Sequence, residues 1–207
     1  MSIIEDDRRV VDALRRGDEE AFGELVDRYS RSMFRLASSY VRSPAVAEEV
    51  VQEAWLGVLT GIGRFEGRSA LKTWIFRILT NVAQTRGARE ARSVPFSSLA
   101  REHEGSPAVD PDRFGEEGMW STPPRPWDVP EARLLSKETR EVVARAIEGL
   151  PPMQRAVISL RDVEGWSSEE VRNVLELSET NQRVLLHRAR SKVRGELERY
   201  LTGERDA

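Results

Sequence analysis

A proline-rich segment in the middle of the chain limits how the chain can fold. Seven of its ten prolines lie between residues 93 and 133, where eight Asp or Glu residues face only four Arg. Proline interrupts helices, and an acidic segment rich in Pro, Gly and Ser buries too little apolar surface to order itself. We therefore predict a long flexible acidic linker over 93–133, between an N-terminal domain at 1–92 and a C-terminal domain at 134–207.

Two tryptophans, Trp120 and Trp127, lie within the predicted linker. Large aromatic side chains are costly to leave in water, so we expect this part of the linker to dock on another surface. That surface is either the protein's own domains or a partner, and the sequence leaves both open.

The N-terminal domain is predicted to be a helical bundle, because apolar residues recur at intervals of three and four. Ser43 and Pro44 predict the start of one helix. Its buried face is expected to contain Val50, Val51, Ala54, Val58 and Leu59. Its outer face carries Glu48, Glu49, Gln52 and Glu53, either as a solvated surface or as a docking surface for a basic partner.

A basic and aromatic segment follows that helix. Phe65 to Ser69 is predicted to form a turn with Phe65 exposed, ahead of a helix from Leu71 to Arg86. Arginines and Lys72 alternate with Phe65, Trp74 and Phe76. Single-stranded nucleic acid requires such a surface, because bases stack on aromatic rings and phosphates pair with cations. Most of these rings are also expected to contribute to the core.

The C-terminal domain carries the punctuation of a helix-turn-helix. Ser167 and Glu170 have capping-box spacing, Glu176 stands where a left-handed residue is expected, and Ser178 predicts a second N-cap. The second helix has an apolar stripe and a cationic stripe, as a recognition helix in the major groove requires. A cationic helix face is also common as plain solvated surface, so this segment alone does not establish DNA binding.

Composition excludes several classes of protein. The chain has no Cys and two His, so we expect no disulfide, thiol nucleophile, metal centre or cofactor. No apolar run approaches the ~20 residues of a membrane span, and the N-terminus lacks a signal pattern, so we expect a cytoplasmic protein without membrane insertion. A net charge of −3 argues against indiscriminate coating of DNA.

Together these segments resemble an extracytoplasmic-function (ECF) sigma factor of bacteria. The resemblance rests on AEEVVQEAW, FEGRSALKTWIFRILTN, LPPMQRAVISLRDVEGWSSEEV and LLHRAR, in that order. It implies an all-α fold of two small helical domains, an N-terminal bundle and a four-helix C-terminal domain with the helix-turn-helix. It also implies an initiation factor without catalysis that binds core RNA polymerase and promoter DNA, and that an anti-sigma factor silences.

The resemblance assigns roles to particular residues. Polymerase binding falls to Glu49, Gln52 and Glu53. Capture of a flipped base from the single-stranded minus-ten element falls to Phe65, Glu66, Gly67, Arg68 and Ser69, with Trp74 and Asn81 nearby. Reading of the duplex minus-35 element falls to Asn181, Arg183, Val184, His187 and Arg188. The linker is expected to thread through the polymerase.

The sequence also departs from the pattern of this family. Residues 181–185 read NQRVL where Thr-Val-Lys-Ser-Arg is frequent, so Leu185 offers no phosphate contact. Thr85 stands where the family often has Asp. We expect altered promoter contacts at these positions, and no regulatory domain after Tyr200.

Two other functions fit parts of the sequence. A stand-alone helix-turn-helix regulator would dimerise through its N-terminal helices and protect a palindromic site. A helical enzyme or scaffold would bind metal through Glu49 and Glu53, although two carboxylates four residues apart without His are a weak metal signal.

Overall fold

The computed structural model describes residues 3–93 and 137–202. All regular structure in these two ranges is helical, which confirms the predicted all-α fold. The predicted linker lies outside the described residues except for its first residue, and so do Trp120, Trp127 and residue 134. The chain divides into two compact units: the N-terminal helices, with which residues 169–176 are grouped, and the other C-terminal helices.

Four helices build the N-terminal unit: α1 (Ile3–Arg15), α2 (Glu19–Ala37), α3 (Pro44–Gly61) and α4 (Leu71–Ser93). Asp18 starts α2, because its carboxylate accepts the Ala21 N–H at 3.1 Å and satisfies one unpaired donor of the first turn. Pro44 occupies the first turn of α3, as predicted. A single 3-10 turn, Ile62–Arg64, follows α3.

The core of this unit lies where α2, α3 and α4 meet. Met33, Val50, Val58, Ile75 and Phe76 are fully buried there. Aromatic pairs close its edges: Phe22 meets Trp55 edge to face at 5.5 Å, and Tyr29 meets Phe76 at 5.9 Å. The Trp55 indole donates to Ser30 Oγ at 3.2 Å, so its polar atom is satisfied within the core.

Helices α3 and α4 approach closely because two residues of α3 have no side chain. A Cβ on Gly57 would lie 2.9 Å from Ile78 Cγ2, and one on Gly61 would lie 3.2 Å from the Trp74 ring. Ala54 and Val58 are buried on the same helix. The buried face of α3 therefore contains four of the five predicted residues, Val50, Val51, Ala54 and Val58. The prediction for Leu59 was wrong, since this side chain is 44% exposed.

Helices α5 (Lys137–Glu148), α6 (Pro152–Ile158), α7 (Ser168–Leu175) and α8 (Glu179–Thr202) follow in the C-terminal part. Both α5 and α6 pack against α8. Arg155 donates to the Glu148 and Leu150 carbonyls and thereby ties the α5–α6 turn. A π turn, Ser159–Val163, continues α6, and Arg161 donates to the Trp166 carbonyl beyond it.

The turn between α7 and α8 has the predicted geometry. Helix α7 begins directly after Ser167, and Glu176 has a φ of 55°, a conformation that non-glycine residues adopt at a cost of about 1–2 kcal/mol. The Ser178 hydroxyl accepts the Asn181 N–H at 3.2 Å and so caps α8. The sequence signals for two helices joined by a tight turn are confirmed.

Across 3–93 and 137–202, no helix combines the length and the hydropathy that a membrane crossing requires.

Candidate functional site

One face of α3 presents the residues predicted to bind a partner. Glu49, Gln52 and Glu53 are all exposed, together with Glu48. Residues 49, 52 and 53 are neighbours on the helix surface because they are three and four positions apart. The opposite face is buried, with Ala47, Val50 and Ala54 fully enclosed. The three side chains thus form one acidic and amide surface on a rigid helix.

This surface also contains features that the sequence did not reveal. Glu49 pairs with Arg86 of α4, although both side chains remain partly exposed. Leu56 is 63% exposed, one turn beyond Glu53, and the exposed Leu59 lies beside it. The surface therefore combines carboxylates with two leucines. The sequence signal for these exposed leucines was the apolar character of the outer face of α3. Helical periodicity alone predicted that Leu59 is buried.

The loop between the 3-10 turn and α4 holds five of the predicted site residues. Glu66, Gly67, Arg68 and Ser69 are exposed, and Glu66 accepts a 2.6 Å hydrogen bond from Arg68 Nε. Gly67 has a φ of 70°, a backbone conformation that favours glycine. Phe65 is only 8% exposed, so the prediction of an exposed ring was wrong. Its ring packs on Trp74 at 5.1 Å, which supports the loop from below.

Helix α4 carries the other two predicted minus-ten residues. Trp74 is half-buried beneath the loop and lies against Gly61. Asn81 is exposed seven residues further along, and ten residues after Leu71, which places it about 15 Å from the start of the helix. The structure therefore groups Trp74 with the loop and places Asn81 further along the same helix.

Helix α1 touches this loop, a contact that the sequence did not indicate. Asp7 Oδ2 accepts the Leu71 N–H at 2.8 Å. Arg15 Nη2 donates to the Phe65 carbonyl at 2.7 Å, and Arg15 Nε donates to the Ile62 carbonyl at 3.4 Å. A groove of about 1100 Å³ lies between residues 63–70 and the α1 side chains Arg8, Val11 and Asp12. Asp7 and Arg15 were not predicted as site residues, because their hydrogen bonds join residues more than 45 positions apart and local motifs do not indicate such contacts.

Helix α8, the second helix of the helix-turn-helix, presents its predicted residues on adjoining faces. Asn181, Val184 and Arg188 are exposed at spacings of three and four, and Arg183 and His187 lie half-buried beside them. Val184 is 41% exposed, large for an apolar side chain. This face offers an amide, a methyl-bearing side chain and cations, the groups that read base edges and contact phosphates in a major groove.

Ion pairs reduce the cationic character of α8. Arg183 pairs with Glu179, and Arg194 Nε donates to Glu198 at 2.6 Å. Arg190 donates twice to Asp162, from Nε and Nη2, each at 2.8 Å. This hydrogen bonding raises the pKa of Arg190. The sequence-derived cationic stripe is therefore partly neutralised by carboxylates from the protein itself.

His187 is held in its neutral form. Burial lowers the pKa of its imidazole below the usual 6.5, and the nearby charges of Arg188 and Arg190 lower it further. At neutral pH this side chain offers one hydrogen-bond donor, one acceptor and no charge.

One residue of the NQRVL sequence at 181–185, which differs from the pattern of the family, points inward. Gln182 is 1% exposed, and its Oε1 accepts a hydrogen bond from Ser168 Oγ at 2.6 Å. The amide therefore holds the Ser168 side chain against the first turn of α8. Within the described residues, no group of three or more His, Asp or Glu side chains is placed to bind a metal ion.

Comparison with known protein families finds two matches. Residues 25–93 match the family "Sigma-70 region 2", and residues 140–193 match "Sigma-70, region 4". The first contains the α3 surface, the loop and α4, and the second contains the helix-turn-helix. Helix α1 lies before the first match.

Curated relatives match the chain over most of its length. The chain is 33% identical to the ECF RNA polymerase sigma-E factor of Escherichia coli K12 over 187 residues, 90% of this chain and 92% of the relative. It is 30% identical to the RNA polymerase sigma-H factor of Pseudomonas aeruginosa over 190 residues, 91% and 92% of the two chains.

Two solved structures share the fold. CnrH in complex with the cytosolic domain of CnrY matches with a TM-score of 0.58 at 22% identity, covering 93% of this chain and 97% of that one. The sigma factor RpoE in complex with the anti-sigma factor NepR from Bartonella quintana also gives 0.58, at 20% identity, covering 86% and 96%. These likenesses support the all-α arrangement of small helical domains.

Proposed function

Since the chain belongs to the ECF class of RNA polymerase sigma factors, we propose that its described surfaces divide three tasks: polymerase binding on α3, minus-ten capture at the loop before α4, and minus-35 reading on α8. As a sigma factor, the protein recognises promoters and directs transcription initiation. The assignment of tasks to individual residues is our proposal.

The α3 surface is the proposed polymerase contact. Glu49, Gln52 and Glu53 project from one exposed face of a helix whose other face is buried. A basic surface on the partner would pair with these carboxylates and would compete with Arg86 for Glu49. The adjacent Leu56 and Leu59 supply apolar area, which interface centres need.

The loop before α4 is the proposed site for a flipped nucleotide. Glu66, Gly67, Arg68 and Ser69 offer a carboxylate, backbone groups, a cation and a hydroxyl beside the groove. Flipping a base costs a few kcal/mol, which hydrogen bonds to its Watson–Crick edge offset. Because Phe65 is buried, its proposed role is to form the floor of the site with Trp74. Asn81 would contact the strand further along α4.

Helix α8 is the proposed minus-35 reader. Asn181, Val184 and Arg188 would face base edges, and Arg183 and His187 would lie toward the sugar–phosphate backbone. Each well-placed bidentate contact discriminates against a wrong base by about 1–3 kcal/mol.

The remaining features of the proposal concern regulation and location. We propose a cytoplasmic factor without catalysis of its own. We also propose that an anti-sigma factor silences it, since the RpoE structure that shares its fold is bound to one. Trp120 and Trp127 would dock on that partner or on the protein itself.

The observation that carries this assignment is the one-sided α3 helix. Three polar residues of one predicted partner surface are exposed together, while Ala47, Val50, Ala54 and Val58 of the same helix are fully enclosed. A helix that only needed solubility would have no requirement for exposed leucines in continuity with those carboxylates.

Reconstitution with core RNA polymerase tests the assignment. We expect Glu49→Ala and Glu53→Ala to weaken polymerase binding about tenfold or more, as loss of charge-assisted contacts at an interface centre does. Glu24→Ala, on an exposed position of α2, is the matched control and should leave binding unchanged. If the wild-type protein neither binds core polymerase nor yields promoter-specific transcripts, the proposal fails.

A further inference from the structure

Helix α1 holds both ends of the minus-ten loop. At the far end, Asp7 caps α4 through the Leu71 N–H at 2.8 Å. The first N–H groups of any helix lack intrahelical partners, and here one partner comes from a residue 64 positions away. At the near end, Arg15 binds the Phe65 carbonyl at 2.7 Å. The intervening residues, 66–70, are thus fixed at both ends by one rigid helix.

The two α1 contacts have the right spacing to set the shape of the loop. Asp7 and Arg15 are eight residues apart, about 12 Å along a helix and about 80° around its axis. The Phe65 carbonyl and the Leu71 N–H are therefore both held by side chains of one helix. Arg15 also donates to the Ile62 carbonyl, so the same side chain holds the 3-10 turn.

Helix α1 also forms a wall of the groove beside the loop. Arg8, Val11 and Asp12 line one side, and residues 63–70 line the other. Its volume of about 1100 Å³ slightly exceeds the range of about 300–1,000 Å³ for small-molecule sites and is enough for a nucleotide and its phosphates. The lining of the groove carries an excess of one positive charge. It contains four arginines and three carboxylates: Arg8, Arg15, Arg64, Arg68, Asp7, Asp12 and Glu66.

We propose that α1 is part of the minus-ten site, with Asp7 and Arg15 as positioning residues that hold the loop in the conformation that accepts a flipped base. This inference rests on the proposed role of the loop in base capture. A loop that is already ordered loses little entropy on binding, so base selection is stronger than a mobile loop would give. Helix α1 lies outside the residues that match Sigma-70 region 2, so the family match does not include this device.

Transcription of a randomised template library tests the proposal. The library carries random bases at the minus-ten and minus-35 elements, and sequencing of the transcripts gives the base preference at each position for each reconstituted holoenzyme. We expect Asp7→Ala and Arg15→Ala to reduce minus-ten selectivity about tenfold, the effect of losing one capping or charge-assisted hydrogen bond. The minus-35 preference, read from the same molecules, should be unchanged.

Conservative variants separate positioning from simple folding. Asp7→Asn keeps a capping oxygen and should retain selectivity within about twofold. Arg15→Lys keeps one donor nitrogen in place of the two that bind Ile62 and Phe65, and should retain part of the selectivity. Arg16→Ala removes an adjacent, exposed cation of the same helix end and serves as the control. Core binding and thermal unfolding are measured for every variant, and the Asp7 pair decides the question if Arg15→Ala does not fold.

The outcomes distinguish this inference from the proposed function. A wild-type holoenzyme without any minus-ten preference would overturn the role of the loop itself. A selective wild type with Asp7→Ala and Arg15→Ala profiles that overlay it would overturn the inference about α1 alone. Equal losses at the minus-ten and minus-35 elements would also overturn it, since they would indicate general instability.

Discussion

Gly87 shows how far a single residue constrains this fold. A Cβ added there would lie 2.4 Å from the Tyr40 carbonyl oxygen, and backbone cannot move aside as a side chain can. Helix α4 therefore passes directly against the end of α2 and its following turn. We expect Gly87→Ala to destabilise the protein by about 2 kcal/mol, the usual cost of overpacking, measured by urea denaturation.

Gly23 supplies the opposite control in α2. Nothing lies within 4 Å of a Cβ placed there. Gly23→Ala should stabilise the protein by about 0.5–1 kcal/mol, because alanine loses less backbone entropy in a helix. If both alanine variants shift stability in the same direction, the close approach at Gly87 is not the cause.

His187 gives a pH dependence of known sign. Its folded-state pKa is lowered by burial and by Arg188 and Arg190, so the unfolded chain binds a proton more readily. The stability it contributes is present above the unfolded pKa of about 6.5 and is lost as pH falls toward the folded pKa. NMR titration should show one histidine signal titrating below the usual range, and His187→Gln should remove that signal.

The sequence predicted whether a residue is buried only where its contacts lie within a few positions along the chain. Helical periodicity identified Val50, Ala54 and Val58 correctly, but it could not decide how far the buried face of α3 extends, so Leu59 was misplaced. Phe65 was predicted to be exposed because it lies in a turn. The structure buries it because Trp74, nine residues later, returns beneath the loop.

At the scale of single elements, the charge of α8 is offset by carboxylates on the helix itself and in the turn that follows α6. Arg190 is engaged by both oxygens of Asp162, which follows α6. Asp162→Asn should weaken that pair and leave the charge of Arg190 available to phosphates. We expect tighter but less selective DNA binding, with a salt dependence steeper by about one counterion.

The measurement for this variant is holoenzyme binding to promoter DNA across a salt series. Glu138→Gln, an exposed position of α5 with the same change in charge, is the control. An unchanged salt slope in Asp162→Asn would show that Arg190 does not meet DNA.

Helix identity and caps could be predicted from the sequence, and the partnership between α1 and the loop could not. Pro44, Glu176 and Ser178 act within one or two turns, so their roles are visible in local patterns. Asp7 and Arg15 look like ordinary surface residues of an amphipathic helix. Their partners at Leu71 and Phe65 become neighbours only after the bundle has folded.

For the whole molecule, the charge distribution predicts dependence on polymerase. The net charge is −3, and several arginines of α8 already pair with carboxylates. The isolated chain should therefore give no footprint on promoter duplex at physiological salt, whereas the holoenzyme should protect one asymmetric site. DNase protection on both strands measures this. A palindromic footprint without polymerase would instead favour a dimeric regulator.

The organisation of the chain was predictable to different depths along its length. The two matched family regions, 25–93 and 140–193, lie to within one residue in the segments that were predicted to be helical domains. The predicted boundaries at 92 and 134 and the linker between them stay predictions. Local composition predicts a lack of helix in this segment, but it does not indicate which surfaces the segment contacts.

The buried Gln182 has a consequence for anyone who wishes to rewire promoter choice. A block swap over 181–185 would exchange this amide along with the exposed side chains around it. Its Oε1 accepts a hydrogen bond from the Ser168 hydroxyl in a buried position, so a chimera that lost it would lose this buried hydrogen bond and be less stable. Orthogonal variants of this protein should retain Gln182 and Ser168 and diversify only the exposed positions around them.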